Sequence, residues 1–106
     1  MFRGKNYIGN EWFFNPENTF EAINPATEEV YGIFPYTSQS QINHSVLVAR
    51  SAFESWKKES RVRRSDYFDK LAQLIKRDHD KLKNAISIET GKNLNESHAE
   101  VIEALH

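Results

Sequence analysis

The sequence contains no cysteine, and this absence excludes several kinds of chemistry at once. Without thiols the chain can form no disulfide, no cysteine-ligated zinc site and no cysteine nucleophile. The absence is consistent with a cytoplasmic protein, although a cysteine-free secreted domain would have the same composition. A signal peptide is not expected, because no apolar block follows Arg3 and Lys5 and no small-residue cleavage site is present.

Glycine is also scarce, and the four glycines stand far apart, at Gly4, Gly9, Gly32 and Gly91. Dinucleotide fingerprints and phosphate loops need clustered glycines, because the backbone must approach phosphate groups closely. The sequence therefore predicts no nucleotide-binding motif within this chain.

Neither charge nor hydrophobicity is concentrated enough to indicate a nucleic-acid or membrane partner. The formal net charge of the 106 residues is −1, and no run of about 18 apolar residues occurs. One basic cluster does exist, but Glu54, Glu59 and Asp66 are interleaved with it, which favours a solvated helix corner. Its members are Lys57, Lys58, Arg61, Arg63 and Arg64.

The first third of the chain has the pattern of short strands and turns, with the β-strands predicted within residues 7–35. Gly9-Asn10 lies between two short apolar runs and predicts a tight hairpin turn, because both residues tolerate positive φ. Residues 20–24 alternate as a strand, Asn24-Pro25-Ala26-Thr27 is a turn, and residues 30–34 form a second strand that ends at Pro35. We expect a small antiparallel sheet with Phe20, Tyr31 and Phe34 as aromatic rungs.

Three amphipathic helices are predicted after the strands, at about residues 39–57, 61–90 and 94–106, from apolar residues at helical spacing. Ser38, Ser60 and Asn93 are the expected N-caps, and Gly91 is the expected end of the middle helix. That helix would span about 45 Å, so we expect it to lie against something larger than this chain. The last helix has no C-cap before His106, which predicts truncation in mid-helix.

No constellation of side chains predicts a catalytic, cofactor-binding or metal-binding site. No two of the histidines (His44, His79, His98 and His106) are three or four residues apart, so no single helix presents a metal-binding pair. We interpret His79, between Asp78 and Asp80, as a solvent-facing residue, and His98 likewise. Phe53, Trp56 and Phe68 fall on the apolar stripes, which favours packing over a ligand site. The residues alone predict a soluble α+β module without a self-contained active site.

Four segments nevertheless carry recognisable motifs in a consistent order. They are Tyr7-Ile8-Gly9-Asn10-Glu11-Trp12, the segment Ile23–Val30, the segment Ala49–Trp56 and Glu89-Thr90-Gly91-Lys92. They resemble the YINGEW, INPATGEV, AxxAFxxW and ETGK motifs of the aldehyde dehydrogenase superfamily. One departure is Glu28, which stands where that family usually has glycine. If the turn needs a positive φ, Glu28 is strained.

The resemblance implies the N-terminal part of an oxidoreductase of the α/β aldehyde dehydrogenase fold, truncated before its nucleotide-binding motifs and catalytic residues. Such an enzyme oxidises an aldehyde to a carboxylic acid with NAD or NADP, through a cysteine nucleophile and a glutamate-activated water. None of the family's catalytic positions falls in this stretch. We therefore expect this chain to be inactive by itself and to bind no cofactor.

The opening motif is similar to that of semialdehyde-oxidising members, such as the 2-oxoglutarate semialdehyde type. The alternative is a stand-alone helical module that binds another protein. In either case the apolar helix faces are expected to self-associate or to dock onto a partner.

Overall fold

A computed structural model describes residues 1–106, with five β-strands followed by four α-helices. The strands are β1 (Phe2–Arg3), β2 (Asn6–Ile8), β3 (Glu11–Phe13), β4 (Thr19–Ile23) and β5 (Val30–Pro35). The helices are α1 (Gln39–Trp56), α2 (Arg61–Arg77), α3 (His79–Thr90) and α4 (Leu94–Glu103). Two compact units are present, Met1–Ile23 with Val30–Glu59 and Asn24–Glu29 with Ser60–His106. The α+β class is confirmed, with four helices in place of the predicted three.

The first unit contains a three-stranded sheet in the order β1-β5-β4. Strands β4 and β5 are antiparallel, and Phe20 lies opposite Phe34 with the ring centroids 5.7 Å apart. The predicted antiparallel pairing is confirmed for β4 and β5, and the sheet has in addition the unpredicted strand β1, which runs parallel to β5 with Phe2 opposite Gly32. A two-residue strand is too short to show an alternating pattern, and for this reason the sequence gives no sign of it.

A separate hairpin of β2 and β3 belongs to the same unit. Gly9 and Asn10 connect the strands with φ of 59° and 66°, the conformation of a tight two-residue turn with two left-handed positions. The strands place Tyr7 opposite Trp12, with their ring centroids 4.7 Å apart. The predicted Gly9-Asn10 hairpin is confirmed.

Helix α1 completes the first unit and begins at the predicted cap. The backbone N–H of Gln41 donates to the Ser38 hydroxyl at 3.2 Å, which satisfies one of the otherwise unpaired donors of the first turn. A methyl group built on Gly9 would lie 3.4 Å from Cγ1 of Val48, so the helix contacts the hairpin turn on the side that carries Val48.

In the second unit, the prediction of a single helix over residues 61–90 was wrong. The chain bends at Asp78, which separates α2 from α3. Asp78 has φ −97° and ψ 16°, outside the helical region, although its N–H still donates to Leu74 and its carbonyl accepts from Leu82. Asp78-His79-Asp80 is a run of poor helix formers, and the Asp78 carboxylate accepts two hydrogen bonds from Arg77. Because the apolar spacing continues across this bend, periodicity alone could not show it.

Helices α3 and α4 pack against each other and enclose the only fully buried side chains of the helical residues. Ser97 has no exposed surface, and its hydroxyl lies 2.8 Å from that of Ser87. Val101 is 3% exposed and is the only buried hydrophobic residue in the chain. None of the four helices combines the length and the apolar character needed to cross a bilayer.

Candidate functional site

Two helix faces, one in each unit, expose large apolar side chains that the rest of their own unit does not cover. On α1, the stripe of Ile42, Val46, Phe53 and Trp56 follows helical spacing, and these side chains are 36–55% exposed. We call this stripe the α1 apolar face. It points away from the Val48 side of the helix, which contacts the hairpin.

On α2, Phe68 is 64% exposed and Leu71 is 50% exposed, and together they form the α2 apolar face. Arg64 precedes Phe68 by one helical turn, and its Nε is shielded from solvent without a hydrogen-bond partner. Most polar atoms that are shielded from solvent in folded proteins have a hydrogen-bond partner, so an N–H without an acceptor is unusual. The apolar stripes expected to face a core are therefore exposed, since neither face is buried within its own unit.

The solvent-accessible surface of the chain is larger than that of a compact protein of the same mass. The chain exposes 8526 Å². Two separate compact proteins of half this mass would together expose about 7,400 Å², and one compact protein of the whole mass about 6,100 Å². Separating the two units could only increase the exposed surface, so the units taken individually expose more than compact proteins of their size.

The loop between β4 and β5 is a small, fully hydrogen-bonded structure. The N–H of Ala26 donates to Oδ1 of Asn24 at 2.9 Å, and the N–H of Glu28 donates to the Asn24 carbonyl at 2.8 Å. The N–H of Asn24 donates to the Glu29 carbonyl at 2.9 Å and closes the loop. These bonds hold Glu28 at φ 61°, so the positive φ suspected from the family pattern is present at a non-glycine residue.

The same loop touches the end of α3. Gly91 has φ 76°, which confirms it as a left-handed helix end, and a Cβ built on it would lie 2.9 Å from Cγ of Pro25. Glycine is favoured at this position for two reasons: the backbone has a positive φ, and the ring of Pro25 leaves no room for a Cβ. The two most recognisable sequence motifs therefore meet in one contact, which sequence spacing gave no means of predicting.

A second polar cluster joins the start of α3 to α4. Nε2 of His79 lies 2.7 Å from Nδ1 of His98, and Nδ1 of His79 lies 3.1 Å from Oδ1 of Asp80. The hydrogen bond from His79, together with the charge of Lys83 3.5 Å away, holds the pKa of Asp80 below its ordinary value. His79 and His98 were interpreted as separate solvated residues. They are in fact paired across two helices.

The other residues singled out in the sequence remain apart from this cluster. Lys57 of the basic cluster binds Glu54 at 2.6 Å and lies 5.5 Å from the Phe53 ring centroid. His44 lines a shallow cleft beside the Gly9-Asn10 turn. No three His, Cys, Asp or Glu side chains are gathered so that they could together hold a metal ion.

Comparison with known proteins finds similarity over almost the whole chain. The family model described as "Aldehyde dehydrogenase family" matches residues 12–106. Malonate-semialdehyde dehydrogenase 2 of Bacillus anthracis is 38% identical over 102 residues, which are 95% of this chain and 21% of that protein. The chain thus spans about a fifth of the length of the curated relatives it matches.

Solved structures agree with the sequence matches. A point mutant of betaine aldehyde dehydrogenase from Staphylococcus aureus, crystallised with NAD⁺, is similar at a TM-score of 0.85 and 32% identity, over 91% of this chain and 20% of that one. Succinate-semialdehyde dehydrogenase from Burkholderia pseudomallei is similar at a TM-score of 0.89 and 27% identity, over 95% of this chain and 21% of that one.

Proposed function

Because this chain belongs to the aldehyde dehydrogenase family, we propose that it is the N-terminal scaffold of an enzyme that oxidises an aldehyde to a carboxylic acid with NAD or NADP. In this proposal the chain contributes no reacting atoms. Its role is to cover other parts of the enzyme with the α1 and α2 apolar faces. The uncovered faces are the observation that carries the proposal, because apolar stripes at helical spacing need a cover.

The energetics of such a cover are favourable. Burying a Phe or Leu side chain contributes about 1.5–3 kcal/mol relative to leaving it exposed. Phe68 and Leu71 on α2, with Val46 and Phe53 on α1, are each about half exposed or more.

A semialdehyde is the proposed class of substrate. The support is by likeness, since relatives are named malonate-semialdehyde and succinate-semialdehyde dehydrogenases. We propose that NAD or NADP binds only the complete enzyme, because the glycines of this chain do not cluster. The cysteine-free composition and net charge of −1 support a cytoplasmic location without a nucleic-acid or membrane partner.

Complementation tests the scaffold role. A malonate-semialdehyde dehydrogenase is produced without the segment that matches this chain, and this chain is co-expressed with it. Formation of NADH or NADPH from malonate semialdehyde is then followed by absorbance. We expect turnover from the pair and none from either polypeptide alone. Aldehyde turnover by this chain alone would contradict the proposal.

Matched variants locate the contact. Phe68→Asp and Leu71→Asp place a charge on the α2 apolar face, and we expect each to abolish complementation. Lys70→Gln changes the net charge by the same single unit on an exposed residue outside the apolar face and should retain complementation. Equal activity of all three variants would show that the α2 apolar face is not the contact.

The alternative is a stand-alone module that docks onto another protein, and the same exposed faces favour it. Sedimentation together with complementation separates the two functions. Self-association that Phe68→Asp abolishes, combined with a failure to complement, would favour the module. Complementation would favour the scaffold.

A further inference from the structure

We propose that His79 and His98 form a binding site for a divalent copper or nickel ion between α3 and α4. This proposal is independent of the scaffold role, because it uses a polar cluster that lies outside the apolar faces. The residues are 19 positions apart in sequence and are brought together only by the packing of the two helices.

The two imidazoles already direct nitrogen atoms at each other. Nε2 of His79 and Nδ1 of His98 are 2.7 Å apart, and the rings are inclined at 70°. At this distance one nitrogen carries a proton and the other offers a lone pair. A metal ion would replace that shared proton, which leaves to solvent, so that both lone pairs bind the ion.

The 2.7 Å between the two nitrogens is the length of a hydrogen bond, in which the nitrogens face each other along one line. Two imidazole nitrogens at about 2.05 Å from one metal ion lie about 2.9–3.3 Å apart, so rotation of the two rings brings both lone pairs onto an ion beside that line. Among the divalent metals of the first transition series, Cu²⁺ binds nitrogen ligands most tightly and Ni²⁺ precedes it in that order, so these are the proposed ions.

Asp80 prepares His79 for this role. Its carboxylate lies 3.1 Å from Nδ1 of His79, so Nδ1–H donates to the carboxylate and the lone pair of Nε2 faces His98. A carboxylate on the far nitrogen is the usual partner of a metal-binding histidine, because it fixes the tautomer and the ring orientation. The ammonium group of Lys83 lies 3.5 Å from the same carboxylate.

The surroundings allow an ion to enter. His98 is exposed, and the His79 side chain is 23% exposed. No third His, Cys, Asp or Glu joins the pair, so water would fill the remaining positions. The ion would link the start of α3 to α4 and add to the Ser87–Ser97 hydrogen bond that already joins these helices.

Titration of the untagged chain with copper chloride tests the site, with binding followed by calorimetry and by electron paramagnetic resonance. We expect one ion per chain and hyperfine splitting from two nitrogens. His79→Gln and His98→Gln should each weaken binding by about tenfold or more, because the second ligand then no longer acts at high effective concentration. Asp80→Asn should weaken binding by about tenfold.

The two remaining histidines provide the controls. His44→Gln and His106→Gln remove an imidazole elsewhere and should leave the affinity unchanged. Glutamine replaces histidine because it retains a hydrogen-bonding side chain, and far-ultraviolet circular dichroism checks that each variant keeps its helices.

Nuclear magnetic resonance of the wild-type chain gives a readout that needs no variant. Copper should broaden the ring protons of His79 and His98 before those of His44 and His106. Equal broadening of all four, equal affinity of wild type and His98→Gln, or a copper-dependent dimer would overturn the proposal. The dimer would place the two nitrogens in different chains.

Discussion

Replacing Gly91 by alanine is expected to destabilise the unit that contains α3 and α4, for two separable reasons. Gly91 has φ 76°, and a left-handed conformation costs an L-residue about 1–2 kcal/mol. The new methyl group would also lie 2.9 Å from Cγ of Pro25, and relieving such overpacking costs about 1–3 kcal/mol. Lower entropy of the unfolded alanine chain offsets about 0.4–1 kcal/mol of this, which leaves a net loss of about 1–4.6 kcal/mol.

A double-mutant cycle with Pro25→Ala separates the two reasons. Removing the proline ring alone should cost about 0.4–1 kcal/mol through greater freedom of the unfolded loop. In the double variant the methyl group has room, so only the backbone cost at residue 91 remains. We therefore expect the double variant to be more stable than the sum of the single effects by about 1–3 kcal/mol, the overpacking cost that it removes.

Urea unfolding with two probes measures this cycle. Both tryptophans, Trp12 and Trp56, lie in the first unit, so fluorescence reports on that unit. Circular dichroism of the helices also reports on α2, α3 and α4. Gly91→Ala should lower the midpoint seen by circular dichroism more than the midpoint seen by fluorescence. A loss below about 0.5 kcal/mol would refute the left-handed assignment, and additive effects would refute the contact with Pro25.

Three further substitutions test local features of the structure by thermal or urea unfolding. Glu28→Gly should stabilise the chain by about 0.5–1 kcal/mol, because it relieves φ 61° at a residue with a Cβ; an equal or lower midpoint would contradict this. Ser97→Ala should lower the free energy of unfolding by about 1–3 kcal/mol, because it removes the buried hydroxyl bonded to Ser87. Adding Ser87→Ala to that variant should lower it little further, and two equal, additive losses would argue against the hydrogen bond. Asn93→Ala should lower the free energy of unfolding by about 1 kcal/mol, because the Asn93 side chain accepts a hydrogen bond from the Glu96 N–H at 2.9 Å. Asn93→Ser should retain most of the stability, since serine also caps helices, and a serine variant as unstable as the alanine variant would count against capping.

Local chemistry was the part of the fold that the sequence predicted best. The caps at Ser38, Ser60 and Asn93 were each read from a single side chain followed by an amphipathic run, and all three accept the expected backbone hydrogen bond. The turn at Gly9-Asn10 was predicted in the same way. Such features depend on residues within one turn of each other, so neighbouring letters contain the whole signal.

Features that join distant residues could not be predicted in this way. The parallel pairing of Phe2 with Gly32 and the hydrogen bond between His79 and His98 depend on how elements pack, not on spacing along one element. Histidines three or four residues apart indicate a metal-binding pair only when both lie on the same helix. A pair contributed by two helices has no fixed spacing and therefore escapes that rule.

The uncovered α2 face also changes the reason for expecting a larger partner. A single helix over residues 61–90 would be about 45 Å long and therefore too long for its own chain. Asp78 divides that helix, so length no longer supports the conclusion. Exposure supports it independently, because Phe68 and Leu71 remain at least half exposed on either account of the helix length. The decisive experiment is therefore the introduction of a charge at Phe68 or Leu71. It tests the exposed side chains directly, whereas a variant with a longer or shorter helix would leave them uncovered.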